Sequence, residues 1–266
     1  MRNISVAKTN WMPQTKHEHA RSTANLIDEP CVLRDSKTNE LIAAQLKLRS
    51  QSDDLAKIVE RLIKFDLDVP MDTARLSGIE SRNRVFGTVE PNKLRRRVAC
   101  SAARLDKENP MLLAALTELA NQGIEQWREI DDATFTAHKN LVETKIHPDW
   151  LLGETGFTSG VINFTAALPY HKDSGNIPGS WSMMLALRSN VEGGHLHLPE
   201  YDVTLGIFDR SITFFNGQAV WHGVTPFHLN KKTAHRFTIV FYAKNKIAQC
   251  GCKADELKRV QQEASQ

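Results

Sequence analysis

Apolar and polar positions follow two different rhythms along the chain, and the change falls near Phe157. Upstream the spacing is helical. From Asp54 to Phe65 the apolar residues are Leu55, Ile58, Val59, Leu62 and Ile63, the three-and-four interval that gathers side chains on one helix face. Pro70 stands beyond the end of that helix. A second helix is predicted over 110–127, with Leu112, Leu113, Leu116, Leu119, Ala120 and Ile124 inward, and a third over about 132–144, broken by His147-Pro148-Asp149-Trp150. Ahead of them, Cys31–Arg34, the polar residues 35–40 and Leu41–Leu46 predict strand, turn and strand. Residues 1–30 are polar and aperiodic and are expected to form a loose arm. Downstream of Phe157, short β-rich runs at 158–168, 181–187, 194–198, 202–208, 211–216, 219–222 and 236–243 are separated by Gly, Pro, Asp and Asn. Short strands at such close spacing predict a closed or sandwiched β-fold. The expected architecture is mainly β with α: a double-stranded β-helix, or jelly-roll, core at about 157–245 inside a domain spanning 76–248. An N-terminal α/β extension over 1–75, flanking helices and a polar helical tail over 249–266 complete it.

Composition narrows the class. The chain has 266 residues, 41% hydrophobic and 24% charged, ordinary for a globular protein with one large domain or one extended domain. No apolar run approaches the roughly 18–20 residues of a membrane span, and Met1-Arg2-Asn3-Ile4-Ser5 lacks the apolar stretch of a signal peptide. An intracellular protein is expected. The net charge of +3 excludes little. One cluster is strongly biased: Arg82, Arg84, Lys93, Arg95, Arg96, Arg97 and Arg104, opposed over that span only by Glu90. It reads either as a phosphate-binding patch or as a solvated or internally paired face. The four cysteines, Cys31, Cys100, Cys250 and Cys252, do not have zinc-site spacing and are expected to be free thiols in a reducing compartment.

The candidate chemistry begins at Leu168-Pro169-Tyr170-His171-Lys172-Asp173-Ser174-Gly175-Asn176. In a strand, His171 and Asp173 would share a face and converge on one ion. His222, in Val220-Trp221-His222-Gly223-Val224-Thr225-Pro226, is the candidate third ligand. Two His and one carboxylate form the facial triad of non-haem Fe(II) oxygenases, which leaves open positions for co-substrate and O2. Fourteen residues after His222 comes Arg236-Phe237-Thr238. An Arg in a buried strand offers a fork to a carboxylate, with the Thr238 hydroxyl on the same face. Asn163, on the preceding strand, is a further candidate co-substrate contact, against a competing role in satisfying local backbone. A rival metal set, His195 and His197 with Glu200, has a cupin-like pattern, but its spacing is short and it leaves Arg236 without a purpose.

Four segments in order, Phe157–Asn163, Leu168–Asn176, Gly193-Gly194-His195-Leu196-His197-Leu198-Pro199-Glu200-Tyr201 and Phe215-Asn216-Gly217-Gln218 running on to His222–Pro226, resemble the TET/JBP family. These are Fe(II)- and 2-oxoglutarate-dependent dioxygenases that oxidise the 5-methyl group of pyrimidines in DNA. The likeness is to their compact phage and fungal forms and runs from about Arg84 to Lys244. It implies that His171, Asp173 and His222 are catalytic metal ligands for Fe(II), and that Arg236 and Thr238 hold 2-oxoglutarate. It also puts Asn176 and Tyr242 against the target base, with Arg84 in a family-like position for DNA. Where the family often carries a base-contacting His, this chain has Lys244 or Asn245, which leaves cytosine and thymine both open. A second arginine for the near carboxylate of 2-oxoglutarate is not legible. The implied reaction is 5-methylcytosine to 5-hydroxymethylcytosine in flipped or single-stranded DNA, in a bacterial cytoplasm or a nucleus. The alternatives are a thymine hydroxylase, an oxygenase of a small molecule or protein side chain, and a non-catalytic cupin-like module.

Overall fold

The computed structural model describes residues 1–15, 18–20, 25–66, 72–76, 79–92, 94, 96–164 and 167–265. In chain order the first half contains β1 (Arg2–Val6), β2 (Leu26–Ile27), β3 (Cys31–Asp35), β4 (Leu41–Lys47), α1 (Asp53–Asp66), β5 (Asp72–Leu76), β6 (Ile79–Val89), β7 (Ser101–Ala102), α2 (Arg104–Glu108) and α3 (Pro110–Lys145). The second half contains β8 (Ser159–Asn163), β9 (Ser182–Ser189), β10 (Val191–Gly193), β11 (Leu196–Leu198), β12 (Val203–Leu205), β13 (Ser211–Phe215), β14 (Gly223–Val224), β15 (Phe227–Leu229), β16 (His235–Tyr242) and α4 (Lys253–Ala264).

The main sheet runs β1-β3-β4-β13-β9-β16-β8-β6-β5, and a smaller sheet β14-β11-β12-β2 accompanies the pair β10-β15. Strand alternation then sorts β16 between two environments. Phe237, Ile239 and Phe241 enter a core shared with Leu112, Leu116, Leu119 and Trp127 of α3 and with Val59 and Ile63 of α1. Arg236, Thr238, Val240 and Tyr242 take the other face, towards the smaller sheet. The core between the sheets joins Leu33, Met184, Ala186, Leu196, Leu198, Leu205 and Phe215. Helices, main sheet and smaller sheet are three layers, and the polar face of β16 looks into the roll.

The expected helix over 54–65, the hairpin over 31–46 and the tail helix all form. The two helices expected over 110–127 and 132–144 are one stretch, Pro110–Lys145, broken at Asp131, whose backbone is non-helical and whose carboxylate caps the Thr134 amide at 2.9 Å. Other expectations change. The N-terminal residues are not all a loose arm: β1 pairs in parallel with β3, and Thr9 and Glu18 bond to the backbone of Glu200 and Tyr170. These contacts are non-local, so no periodicity announced them. The run at 219–222 is a turn ending in a single bridge, His171 with His222, and the strand begins at Gly223. Strands β5 and β6 had no signal in a segment dominated by charge. Pro70, Lys93 and Arg95 lie outside the described residues. Cys100 and Cys250 are joined as a disulfide, while Cys31 and Cys252 are free. A separation of 150 residues hid the pairing, which forms because both cysteines enter a third core with Ile146, Trp150, Ile177 and Ile247. Among the described residues no helix is long and apolar enough to cross a membrane.

One close approach sets the register beside the site. Gly160 on β8 lies opposite Phe86 on one side and Phe241 on the other, and those rings meet edge to face at 5.2 Å. A Cβ there would overlap the Phe86 ring. Gly160→Ala is therefore expected to cost about 1–3 kcal/mol, as overpacking does. The urea midpoint should fall at constant slope, and an unchanged midpoint would mean that the ring yields freely.

Candidate metal centre and its cavity

The extended segment 168–173 and the turn before β14 meet through a two-way backbone bridge: the His171 amide donates to the His222 carbonyl at 2.9 Å and the His222 amide to the His171 carbonyl at 3.1 Å. Asp173 is anchored next to it by its own amide, which donates to the Gly217 carbonyl at 2.9 Å. The bridge, rather than a full strand, brings the three side chains together. The imidazoles lie 4.2 Å apart, centroid to centroid. Asp173 Oδ1 is 3.6 Å from His171 Nε2 and 3.9 Å from His222 Nε2.

The local hydrogen bonds fix which atoms face inward. His171 Nδ1–H donates to the Pro169 carbonyl at 2.8 Å, and His222 Nδ1–H to the Val220 carbonyl at 3.0 Å. Carbonyls only accept, so both rings carry the proton on Nδ1 and leave a lone pair on Nε2. Burial first, and then the neighbouring His171, hold the His222 imidazole at about 4, so it is neutral at pH 7. One ligand atom from each of the three residues falls within 4.8 Å of the others. The donor set, its tautomers and its spacing fit a divalent metal bound by nitrogen and oxygen on one face.

The centre opens into a cavity of about 470 Å³. Its apolar walls come from Val85, Val161, Leu168, Phe215 and Val240 and its amides from Asn83, Asn163 and Asn176, and Tyr242 and Lys244 line it as well. The Tyr242 hydroxyl is pushed well above its ordinary range, by burial before the charges of Glu90 and Asp173, so it stays protonated. Lys244 Nζ lies 5.1 Å from the Tyr242 ring centre.

Below this face of β16, Arg236 is 2% exposed. Its guanidinium donates to the Gly194 carbonyl at 3.0 Å and lies 5.0 Å from the Phe227 ring centre, while its Nε has no partner among the described residues. Gly194, at φ +70°, lets the chain pass this close; a Cβ there would lie 2.7 Å from Arg236 Nε. Burial, and then Arg188, pull the guanidinium down to about 9. A buried cation with no paired carboxylate among the described residues calls for an anion, which fits a dicarboxylate co-substrate. Thr238 shares the Arg236 face and is the cross-strand partner of Asn163.

One sequence expectation changes here. Arg84 is 1% exposed and is held by Asp66 at 2.7 and 3.1 Å and by Glu108 at 3.0 Å. Two carboxylates satisfy that guanidinium inside the fold, so it ties α1 to β6 and α2 and does not reach DNA. Asn176 lines the cavity, and its side chain donates to Asp173 Oδ2 at 3.4 Å and Ser182 Oγ at 3.3 Å. The rival set disperses as well: His195 Nδ1 accepts from the Ile207 amide, His197 Nδ1 meets the Tyr170 hydroxyl at 2.6 Å, and Glu200 accepts from the Trp221 amide.

Two residues went unread in the sequence. Asn83 lies opposite Asn163 across the β6–β8 pair, and the charge-dominated segment gave no strand on which to place it. Arg188 lies opposite Arg236 across β9–β16 and donates to the carbonyls of Ile207, Val191 and Gly193. It holds the turn that Arg236 leans on. Continuing the alternation Met184, Ala186 by one step would have found it.

Fold, triad and buried arginine together form the kind of arrangement that 2-oxoglutarate- and Fe(II)-dependent oxygenases use. Within that class, residues 143–245 match the family model Tet_JBP, the oxygenase domain of the 2OGFeDO superfamily. The bifunctional helicase and thymine dioxygenase JBP2 of Trypanosoma brucei brucei is 24% identical over 123 residues, 46% of this chain and 11% of that protein. This chain thus spans about a tenth of that curated relative. Among solved structures, NgTET1 in complex with 5mC DNA aligns with a TM-score of 0.63 at 13% identity, covering 94% of this chain and 91% of that one. A putative 2OG-Fe(II) oxygenase family protein from Caulobacter crescentus aligns at 0.47 and 11% identity, covering 84% and 89%.

Proposed function

We propose that this chain hydroxylates the 5-methyl group of a pyrimidine in DNA, 5-methylcytosine first, giving 5-hydroxymethylcytosine. The observation that carries the reading is the cavity. It is lined by the triad, apolar side chains, three amides and Tyr242, surroundings that suit a planar, polar-edged base. The NgTET1 structure with 5mC DNA, whose fold this chain shares, supports it. A thymine substrate is the second reading, favoured by the likeness to JBP2, a thymine dioxygenase.

In this reading His171, Asp173 and His222 hold Fe(II) through two Nε2 atoms and a carboxylate oxygen. The Arg236 fork binds the far carboxylate of 2-oxoglutarate, aided by the Thr238 hydroxyl and bordered by Asn163. Once bound, iron, 2-oxoglutarate and O2 supply an oxidant able to hydroxylate a methyl group, with succinate and CO2 released. The protein positions the methyl and keeps water and other C–H bonds away. A methyl inside a duplex cannot reach this enclosed centre, so the base is extruded or the strand is single. Tyr242 then stacks on the base, with Lys244 Nζ 5.1 Å from the tyrosine ring centre.

Mass spectrometry of nucleosides tests this. 5-Methylcytosine DNA incubated with protein, Fe(II), ascorbate and 2-oxoglutarate should yield hydroxymethylcytosine, and thymine-only DNA much less. Removing a stacking ring costs about 1–3 kcal/mol per base, so Tyr242→Ala should lower base oxidation about 5- to 150-fold while sparing DNA-independent succinate release. Equal losses in both would make Tyr242 a packing residue. Succinate with no altered base would remove the DNA reading.

A further inference from the structure

We propose that the DNA strand leaving the metal cavity crosses the Tyr242–Lys244 wall into a second cavity. From there it enters an outer groove between Pro91, Asn92, Leu94 and residues 96–98 on one side and the C-terminal segment on the other. This rests on the DNA reading above and adds the path of the backbone beyond the target nucleotide.

Continuity is the first observation. The second cavity, about 510 Å³, shares Val85, Tyr242 and Lys244 with the metal cavity. The outer groove, about 1050 Å³, shares Asn92 and Arg97 with the second cavity. The three openings adjoin in series. Charge is the second observation. Lys107 and Arg104 border the middle cavity, and Arg96, Lys246 and Arg259 the outer groove; the acids lining the two are Glu90 and Glu263. Some of these cations have work already: Arg104 pairs with Glu108, Arg259 with Glu256, and Arg97 Nε donates to the Glu90 carbonyl. Lys107, Arg96 and Lys246 are exposed, and none of the three has a carboxylate within ion-pair distance among the described residues. Cations in a row without internal partners suit successive phosphates.

The groove is also built in advance. The Cys100–Cys250 disulfide joins its two walls. Buried Glu256 ties them again, accepting from the Cys100 amide at 2.7 Å and the Gly251 amide at 3.1 Å. A preformed groove loses less ordering entropy when it binds an extended strand.

The experiment is fluorescence anisotropy over a salt series with the full chain. It compares a long 5-methylcytosine oligonucleotide with a trinucleotide carrying the same base. Lys107→Ala and Lys246→Ala should each flatten the slope of log affinity against log salt by about 0.7–0.9, one phosphate's worth, and weaken the long strand far more than the trinucleotide. The paired change Lys231→Ala with Lys232→Ala, on the exposed turn before β16, should leave the slope unchanged. Unaltered slopes in Lys107→Ala and Lys246→Ala, with wild-type protein still oxidising DNA, would overturn the path and leave the substrate reading standing. Wild-type protein that releases succinate but binds no oligonucleotide at any salt would overturn both.

Discussion

Asp173→Ala is expected to abolish Fe(II) binding and 2-oxoglutarate turnover while leaving the fold intact. Asp173 supplies the only carboxylate among the three converging ligand residues, and without it two imidazoles remain, too few to fix the metal on one face. Its side chain is 25% exposed and belongs to none of the hydrophobic cores. Its loss should therefore move the thermal midpoint little. The comparison variant is Asn176→Ala, which removes an amide that donates to Asp173 and to Ser182 but leaves all three ligand residues in place. Loss of such an outer partner costs about 10–100-fold, so Asp173→Ala must fall well below it. Anaerobic Fe(II) titration reads the metal directly, and succinate release reads turnover. Full Fe(II) affinity in Asp173→Ala would remove the assignment.

The second large effect belongs to Arg236. Two charge-assisted hydrogen bonds to a carboxylate, at about 1.5–3 kcal/mol each, correspond to a rise of about 100-fold or more in the 2-oxoglutarate requirement when Arg236 becomes Met. Arg236→Lys keeps the charge but not the fork and should fall between. Stability separates this role from a packing role. Wild-type protein buries the guanidinium with Nε unpartnered among the described residues. An apolar replacement of similar volume should therefore cost little stability without co-substrate. Added 2-oxoglutarate should raise the melting temperature of wild type by mass action and leave Arg236→Met unmoved. An unchanged requirement, or a variant that melts far lower without co-substrate, would sink the assignment.

The local parts of this site were legible because their signals are local. His171 and Asp173 are two apart, Arg236 and Thr238 share a strand face, and the apolar run from Phe237 to Phe241 marks that strand as buried. Arg84 misled for the opposite reason. Its family-like position suggested a phosphate contact, yet its partners, Asp66 and Glu108, lie 18 and 24 residues away and meet it only inside the fold. Asn176 falls between these cases: it is at the cavity, but its amide is turned onto Asp173.

The sequence by itself determined the rhythm of the β-half, the ligand types and the arginine strand, because periodicity and side-chain chemistry are properties of neighbouring residues. Tertiary structure alone decided the rest. It docked the N-terminal residues, paired Cys100 with Cys250, set Arg188 beside Arg236, and turned both Nε2 atoms inward through the Pro169 and Val220 carbonyls. Strand pairing and the partners of buried charges join residues far apart in the chain, and the free energy that fixes them exists only once the layers have packed.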